Sequence, residues 1–251
     1  MKRATGQYIG FVDGDDIVEK DMFELLMNNA MKYNADISHC GYSMDFPDGH
    51  SDKYYGTNKI VIQNNKEGLK DLLEGKFIEP GLCNKVYKKG LIENFIENKD
   101  MDHSIKNLED LLVNYFLFKQ SNLSIYEDKC KYHYTIRKGS AATKKTRNKY
   151  EDPLKVIKRI MHLEKKYSDV YKIIYKRYIY VLIYNANQND YEDIQKNARK
   201  KLKEEIKHFK ENKLSTKLKL MSIGTCYLNL LYKLVRVIYN KITHVDKKYD
   251  V

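Results

Sequence analysis

The hydrophobic pattern of the 251-residue chain changes texture part-way along. Residues 8–12 form a short apolar run with aromatic and β-branched side chains, the signature of a buried strand. The run stops at Asp13-Gly14-Asp15-Asp16. Between residues 18 and 33, Met22, Leu25, Leu26 and Ala30 recur at helical spacing, with Asp21 and Glu24 in the opening turns and Asn34 placed to end the helix. Residues 35–44 read as a strand and Phe46-Pro47-Asp48-Gly49 as a turn. Residues 59–63 read as a second strand pairing with the first, and residues 65–73 as a helix ending at Gly75. Residues 80–92 show little helical period before Lys88. Residues 111–118 are a strongly apolar helix with Asn107 as its expected N-cap. Two short strands follow at 123–126 and 131–136, then a basic loop over 137–149.

From about residue 150 the pattern becomes helix after helix. Pro153 suits a first helical turn, opening a helix that runs to about Tyr167. Further helices are expected at 169–186, 190–212 and 216–243. The last carries a narrow polar stripe (Lys219, Ser222, Cys226, Asn229, Lys233, Arg236 and Asn240) on an otherwise apolar surface. Such a helix either packs into the protein or lies on a membrane with its lysines towards anionic head groups. The pattern thus predicts two regions, residues 1–149 with a sheet and residues 150–251 basic and helical.

Charge sharpens that division. Residues 1–128 carry 15 Lys and Arg against 22 Asp and Glu, whereas residues 129–251 carry 31 against 12, giving the whole chain +12. The acidic half is expected to hold the site, and the basic half to offer a surface to an anionic partner. Its lysines follow no nucleic-acid-binding motif, so no nucleic acid is expected. Cys40, Cys83, Cys130 and Cys226 are scattered without a C-x-x-C pair, which argues against thiolate metal ligation and for a reducing, cytoplasmic compartment. Neither a signal peptide nor a charge-free stretch long enough to span a bilayer is visible.

The carboxylates after residue 12 are too costly to bury together, so they are expected at the strand's end, facing a cleft or solvent. Carboxylates gathered there suit a hard divalent cation. On spacing alone an ordinary Asp-Gly turn fits equally.

Three stretches taken in order resemble family 2 glycosyltransferases of the GT-A fold. They are residues 4–16 (Ala-Thr-Gly-Gln-Tyr-Ile-Gly-Phe-Val-Asp-Gly-Asp-Asp), then Leu82-Cys83-Asn84-Lys85-Val86-Tyr87, then Glu109-Asp110. A weaker match runs from Tyr132 to Ser140, with Thr135 where many relatives carry arginine; Gly14 replaces the usual serine between the first two acids. The resemblance implies an α/β fold, an incomplete GT-A-like (Rossmann-like) sheet domain followed by a mostly helical C-terminal region. It also implies inverting transfer of a sugar from a nucleotide-diphosphate sugar, commonly UDP-linked, to an acceptor hydroxyl in cell-surface polysaccharide synthesis. The acceptor would be a saccharide or lipid-linked, and the protein cytoplasmic or peripheral at the inner face of the cell membrane.

Residue by residue, Asp13 and Asp15 match the family's D-x-D motif and would hold Mn2+ or Mg2+. Asp110 matches the general base. Asp16 would orient the loop or a sugar hydroxyl, and Glu109 would lie beside the base with a substrate or structural role. Lys85 would meet a phosphate or the acceptor, or form a salt bridge, and Arg137 and Ser140 would belong to a loop closing over the diphosphate. By the same resemblance, a nucleotide-gripping portion of about 80 residues is expected ahead of residue 1, as for a late-called start, a split gene or a fragment. A catalytically dead remnant or interaction module is the alternative expectation.

Overall fold

A computed structural model describes residues 3–97, 104–137 and 144–228. Two compact units emerge: residues 3–97, 104 and 108–137 form the first, and residues 105–107 with 144–228 form the second.

The first unit is built on a seven-stranded mixed sheet. Its strands are β1 (Tyr8–Gly10), β2 (Ile17–Val18), β3 (Ile37–Asp45), β4 (Ser51–Lys53), β5 (Ile60–Asn64), β6 (Lys85–Lys88) and β7 (Leu123–Thr135). The main order is β1-β6-β3-β7-β2, with β4 on β3 and β5 on β7. Strands β3 and β7 run parallel over nine paired positions, and every other pairing is antiparallel. The expected pairing of residues 59–63 with 35–44 is therefore wrong, because β5 lies along β7. Alternation places a strand in a sheet but does not choose its neighbour.

The two short strands expected at 123–126 and 131–136 are one strand, β7. The polar run between them reads as a break, yet each acid has partners. Glu127 accepts a hydrogen bond from Asn29 Nδ2 at 2.7 Å, and Asp128 accepts from Tyr126 Oη at 2.7 Å and from the backbone of Gly56. The β3–β7 register shifts around Gly41, where an added Cβ would stand 3.1 Å from the Lys129 carbonyl oxygen.

Helix α1 (Met22–Tyr33) closes one face of the sheet, with Met22 and Leu26 packed on Cys40, Tyr42, Met44, Val86 and Tyr132. Asn34 ends it in the left-handed region, as its sequence position indicates. Helix α2 (Asn65–Glu74) starts at Asn64 in a capping box and stops at Gly75 with φ +70°. Helix α3 (Lys89–Ile96) follows β6, and α4 (Glu109–Gln120) is buried on nearly every side from Leu111 to Phe118. His39, which alternates with Cys40 on β3, meets Phe118 and Tyr126, so α4 covers the opposite face. The N-cap of α4 is Leu108, at φ +66°, rather than Asn107.

The second unit comprises α5 (Arg147–Leu163), α6 (Asp169–Asn187), α7 (Glu192–Glu205), a 3-10 turn at Ile206–His208, and α8 (Thr216–Tyr227). Helix α6 packs against α5, α7 and α8. Pro153 lies inside α5 rather than opening it. Asn185 Nδ2 donates to the Tyr150 carbonyl at 2.8 Å, and Asp152 is buried, accepting from Lys106 N at 2.9 Å and Lys155 Nζ at 3.0 Å. Those anchors extend the helix ahead of the proline, so the helical unit begins before the expected 149/150 boundary.

Helix α8 inverts the expected arrangement of its faces. Leu218, Ser222 and Thr225 are buried, while Leu220, Ile223 and Tyr227 are exposed. The rest of the expected last helix, from Asn229 on, lies outside the described residues. Among the described residues no helix is long and apolar enough to cross a membrane.

Candidate active site

Strand β1 is a sheet edge among the described residues, paired with β6 alone and burying only Ile9. The expectation of a buried strand is thus met at one residue. Gly10 leaves room for the Phe23 ring, since an added Cβ would sit 2.7 Å from Phe23 Cε1 and push it aside. Immediately beyond, Asp13-Gly14-Asp15-Asp16 forms a turn closed by Asp16 N donating to the Asp13 carbonyl at 3.2 Å. The cost of burying like charge shows in the outcome: Asp13 and Asp15 are exposed and Asp16 is only part-buried.

Asp16 ties this turn to β7. Its carboxylate accepts from Tyr132 Oη at 2.5 Å and from Thr135 N at 2.9 Å, and the Tyr132 hydroxyl also accepts from Asp13 N at 3.3 Å. Burial raises the Asp16 pKa, opposed by those two hydrogen bonds. Arg137, just past β7, forms an ion pair with Asp15. Ser140 lies outside the described residues.

The loop before β6 forms a second wall. Lys85 is fully buried, with Nζ donating to the Gly81 carbonyl at 2.8 Å, Asn84 Oδ1 at 2.7 Å and the Cys83 carbonyl at 3.5 Å. The ammonium holds its own loop together instead of reaching an open cleft, as a phosphate contact would require. Burial lowers its pKa to about 8, against the nearby Glu79 and Asp110 carboxylates. Asn114, one helical turn along from Asp110, donates to the Pro80 carbonyl at 2.6 Å and the Gly81 carbonyl at 3.1 Å. It accepts from Tyr87 Oη at 2.7 Å. Loop and helix are thereby fixed to one another through groups of low exposure.

Asp110 sits in the first turn of α4, over that loop. Leu82 N–H is bonded to its carboxylate, and a Cβ added to Gly81 would lie 4.0 Å from Oδ2. Burial is the main cause that raises its pKa to about 6, followed by the charge on Glu109, with Asp13 adding to the effect. Asp13 and Asp110 therefore share one electrostatic environment. Cys83 lies between the two walls, its thiol pushed up to about 11 by burial and bonded with the Tyr132 hydroxyl.

The structure thus gathers Asp13, Asp15, Asp16 and Arg137 at the acidic turn, with Lys85 on the neighbouring loop and Glu109 and Asp110 at the start of α4. The pattern along the chain missed Glu79, whose carboxylate bears on Lys85, Tyr42 and Tyr134, and Asn114. A lone glutamate before Pro80-Gly81 offers no periodic signal. Asn114 reads as one more polar position in an apolar helix.

The sequence profile described as "Glycosyl transferase family 2" matches residues 1–95, which include the acidic turn and Lys85. Residues 1–95 belong to glycosyl transferase family 2. The chain is 32% identical over 124 residues to the uncharacterized glycosyltransferase EpsJ of Bacillus subtilis, covering 48% of this chain and 35% of that one. It is 26% identical over 148 residues to the minor teichoic acid biosynthesis protein GgaB of the same organism, covering 58% and 15%. The chain therefore spans about a third or less of these relatives. Among solved structures, S. aureus TarS 1–349 superposes with a TM-score of 0.62 at 17% identity, covering 96% of this chain and 68% of that one. TarS 1–349 in complex with UDP-GlcNAc gives 0.53 at 14%, covering 90% and 67%. At such identity the likeness shows the fold, which is the GT-A-like sheet followed by helices that the family resemblance implied.

Proposed function

We propose that this chain transfers a sugar from a nucleotide-diphosphate sugar, UDP-linked, to an acceptor hydroxyl with inversion, in synthesis of a bacterial cell-surface polymer. The observation that carries this reading is Asp110: a part-buried carboxyl with a pKa near 6, in the same cleft as the Asp13 turn. A carboxylate poised there can take the proton of an attacking hydroxyl near neutral pH, a contribution of about 10²–10⁴-fold. The UDP-GlcNAc bound by TarS and the teichoic acid assignment of GgaB support the donor and the polymer class.

Asp13 and Asp15 suit Mn2+ or Mg2+. Both are exposed, both offer hard oxygen ligands, and Asp15 already attracts a cation in Arg137. No three His, Cys, Asp or Glu side chains gather into a metal cluster among the described residues. The pair therefore fits an ion whose other ligands come from diphosphate and water. When bound, that ion supplies charge neutralisation of the leaving diphosphate. The protein's own part is positional. Asp16 holds the turn to β7, Lys85 and Asn114 hold the loop that donates Leu82 N–H to Asp110, and Asp110 receives the acceptor's proton.

Calorimetric titration with UDP and Mn2+ tests the donor end. Micromolar binding that Asp15→Ala removes is expected. Absence of binding by the unaltered chain would favour a catalytically dead interaction module.

A further inference from the structure

One acid of the cleft has no part in the reading above. Glu79 lies two residues after Phe77, which is at φ +57°, and directly precedes Pro80-Gly81 on the loop. Its charge reaches Lys85 and Tyr134, and Tyr134 also feels Asp13, Asp15 and Asp16. Glu79 therefore belongs to the same ring of side chains as the acidic turn and Asp110. Beneath it lies Tyr42, 7% exposed, whose hydroxyl is buried without a hydrogen-bond partner. That hydroxyl lies within interaction range of Glu79 and Tyr54.

Gly81 defines the space between the acids. A Cβ placed there would meet Glu79 Cγ at 3.8 Å and Asp110 Oδ2 at 4.0 Å, with no other atom within 4 Å outside its chain neighbours. The missing side chain thus leaves an opening flanked by the Glu79 side chain and the Asp110 carboxylate, with Glu79 Cγ less than about 8 Å from Asp110 Oδ2. Tyr42 stacks on Tyr54 at 4.4 Å, and Tyr54 meets the half-exposed Tyr55 edge-on, so aromatic surface continues outward from Glu79. Carboxylate acceptors beside aromatic faces match a neutral polyhydroxylated molecule, whose hydroxyls donate and whose C–H faces stack.

Resting on the sugar-transfer reading, we propose that Glu79 and the gap at Gly81 form the acceptor subsite. Glu79 accepts a hydrogen bond from one hydroxyl of a neutral sugar, so that a neighbouring hydroxyl faces Asp110, and Tyr42 is the positioning residue that holds Glu79. The subsite disfavours acceptors bearing phosphate next to the reacting hydroxyl, because they would meet two carboxylates.

Gly81→Ala is the cleanest perturbation. Its Cβ contacts are ordinary van der Waals distances, and the Gly81 carbonyl still accepts from Lys85 and Asn114. The probes are methyl glycosides of glucose, galactose and N-acetylglucosamine, with glycerol 3-phosphate as the anionic comparison, followed by saturation-transfer NMR on the full chain. At least one glycoside is expected to bind in preference to glycerol 3-phosphate. Its affinity is expected to fall about tenfold or more in both Gly81→Ala and Glu79→Gln, the effect of losing a hydrogen bond to a charged group. Melting curves check that each variant folds. Tyr42→Phe is expected to weaken glycoside binding less than Glu79→Gln. Equal binding by wild type, Gly81→Ala and Glu79→Gln overturns the proposal, as does failure of every glycoside to bind the wild type. Retained glycoside discrimination with no UDP–Mn2+ binding would instead count against the donor reading alone.

Discussion

Asp110→Asn is expected to stabilise the fold at neutral pH. Folding moves this carboxyl from its ordinary 3.8 to about 6, chiefly through burial. At about 1.4 kcal/mol per pH unit, the ionised form is disfavoured in the folded state by about 3 kcal/mol. Asp110 is part-buried, so solvent screening reduces the expected effect to about 2 kcal/mol. The direction follows from proton binding. A carboxyl with a raised folded pKa binds more protons folded than unfolded between the two values, so stability falls as pH rises from 3.8 through 6. Asparagine carries no charge and can still accept from Leu82 N–H, so the variant escapes that loss. Urea denaturation should show the variant about 2 kcal/mol more stable near pH 7.5, with the gap closing to near zero around pH 4. A gap of the same size at both pH values, or a less stable variant near pH 7.5, would refute burial as the source of the raised pKa.

The remaining predictions concern what holds the cleft. Lys85→Met removes a buried ammonium and leaves the Asn84 Oδ1 acceptor unmatched, so urea unfolding should show a loss of about 3 kcal/mol. Asn114→Ala strands the Pro80 carbonyl and removes the 2.7 Å acceptor of the Tyr87 hydroxyl, and should cost about 2–4 kcal/mol by the same measurement. Arg137→Ala breaks a half-exposed ion pair with Asp15, and calorimetry should find its melting temperature nearly unchanged.

Those residues also show what the chain's pattern makes legible. The acidic turn could be read because charge placed after an apolar run has few physical outcomes, and both helix stops at Asn34 and Gly75 follow from tolerance of positive φ. The strand partners could not be read. Residues 60–64 have the same alternation whether they join β3 or β7, and only tertiary packing decides. The Glu127-Asp128-Lys129 stretch looked like a loop because its hydrogen-bond partners, Asn29, Gly56 and Thr57, are distant in sequence. For Lys85, the sequence could not tell an ammonium facing a phosphate or an acceptor from one turned back on its own loop. Glu79 became visible only when the fold set it across Gly81 from Asp110. Helix α8 was legible as amphipathic, yet the buried face proved to be the one carrying Ser222 and Thr225.

The central claim is that Asp110 takes the acceptor's proton beside a donor held at the Asp13–Asp15 turn. The most direct measurement is UDP release from a panel of UDP-sugars with Mn2+, made on the wild-type chain and on Asp110→Asn after UDP–Mn2+ affinity has been measured for both. The account predicts turnover by the wild type with at least one donor. It predicts equal UDP–Mn2+ affinity in the variant and a rate lower by about 10²–10⁴-fold. Equal rates in the two proteins, or no UDP release by the wild type with any donor, would contradict it.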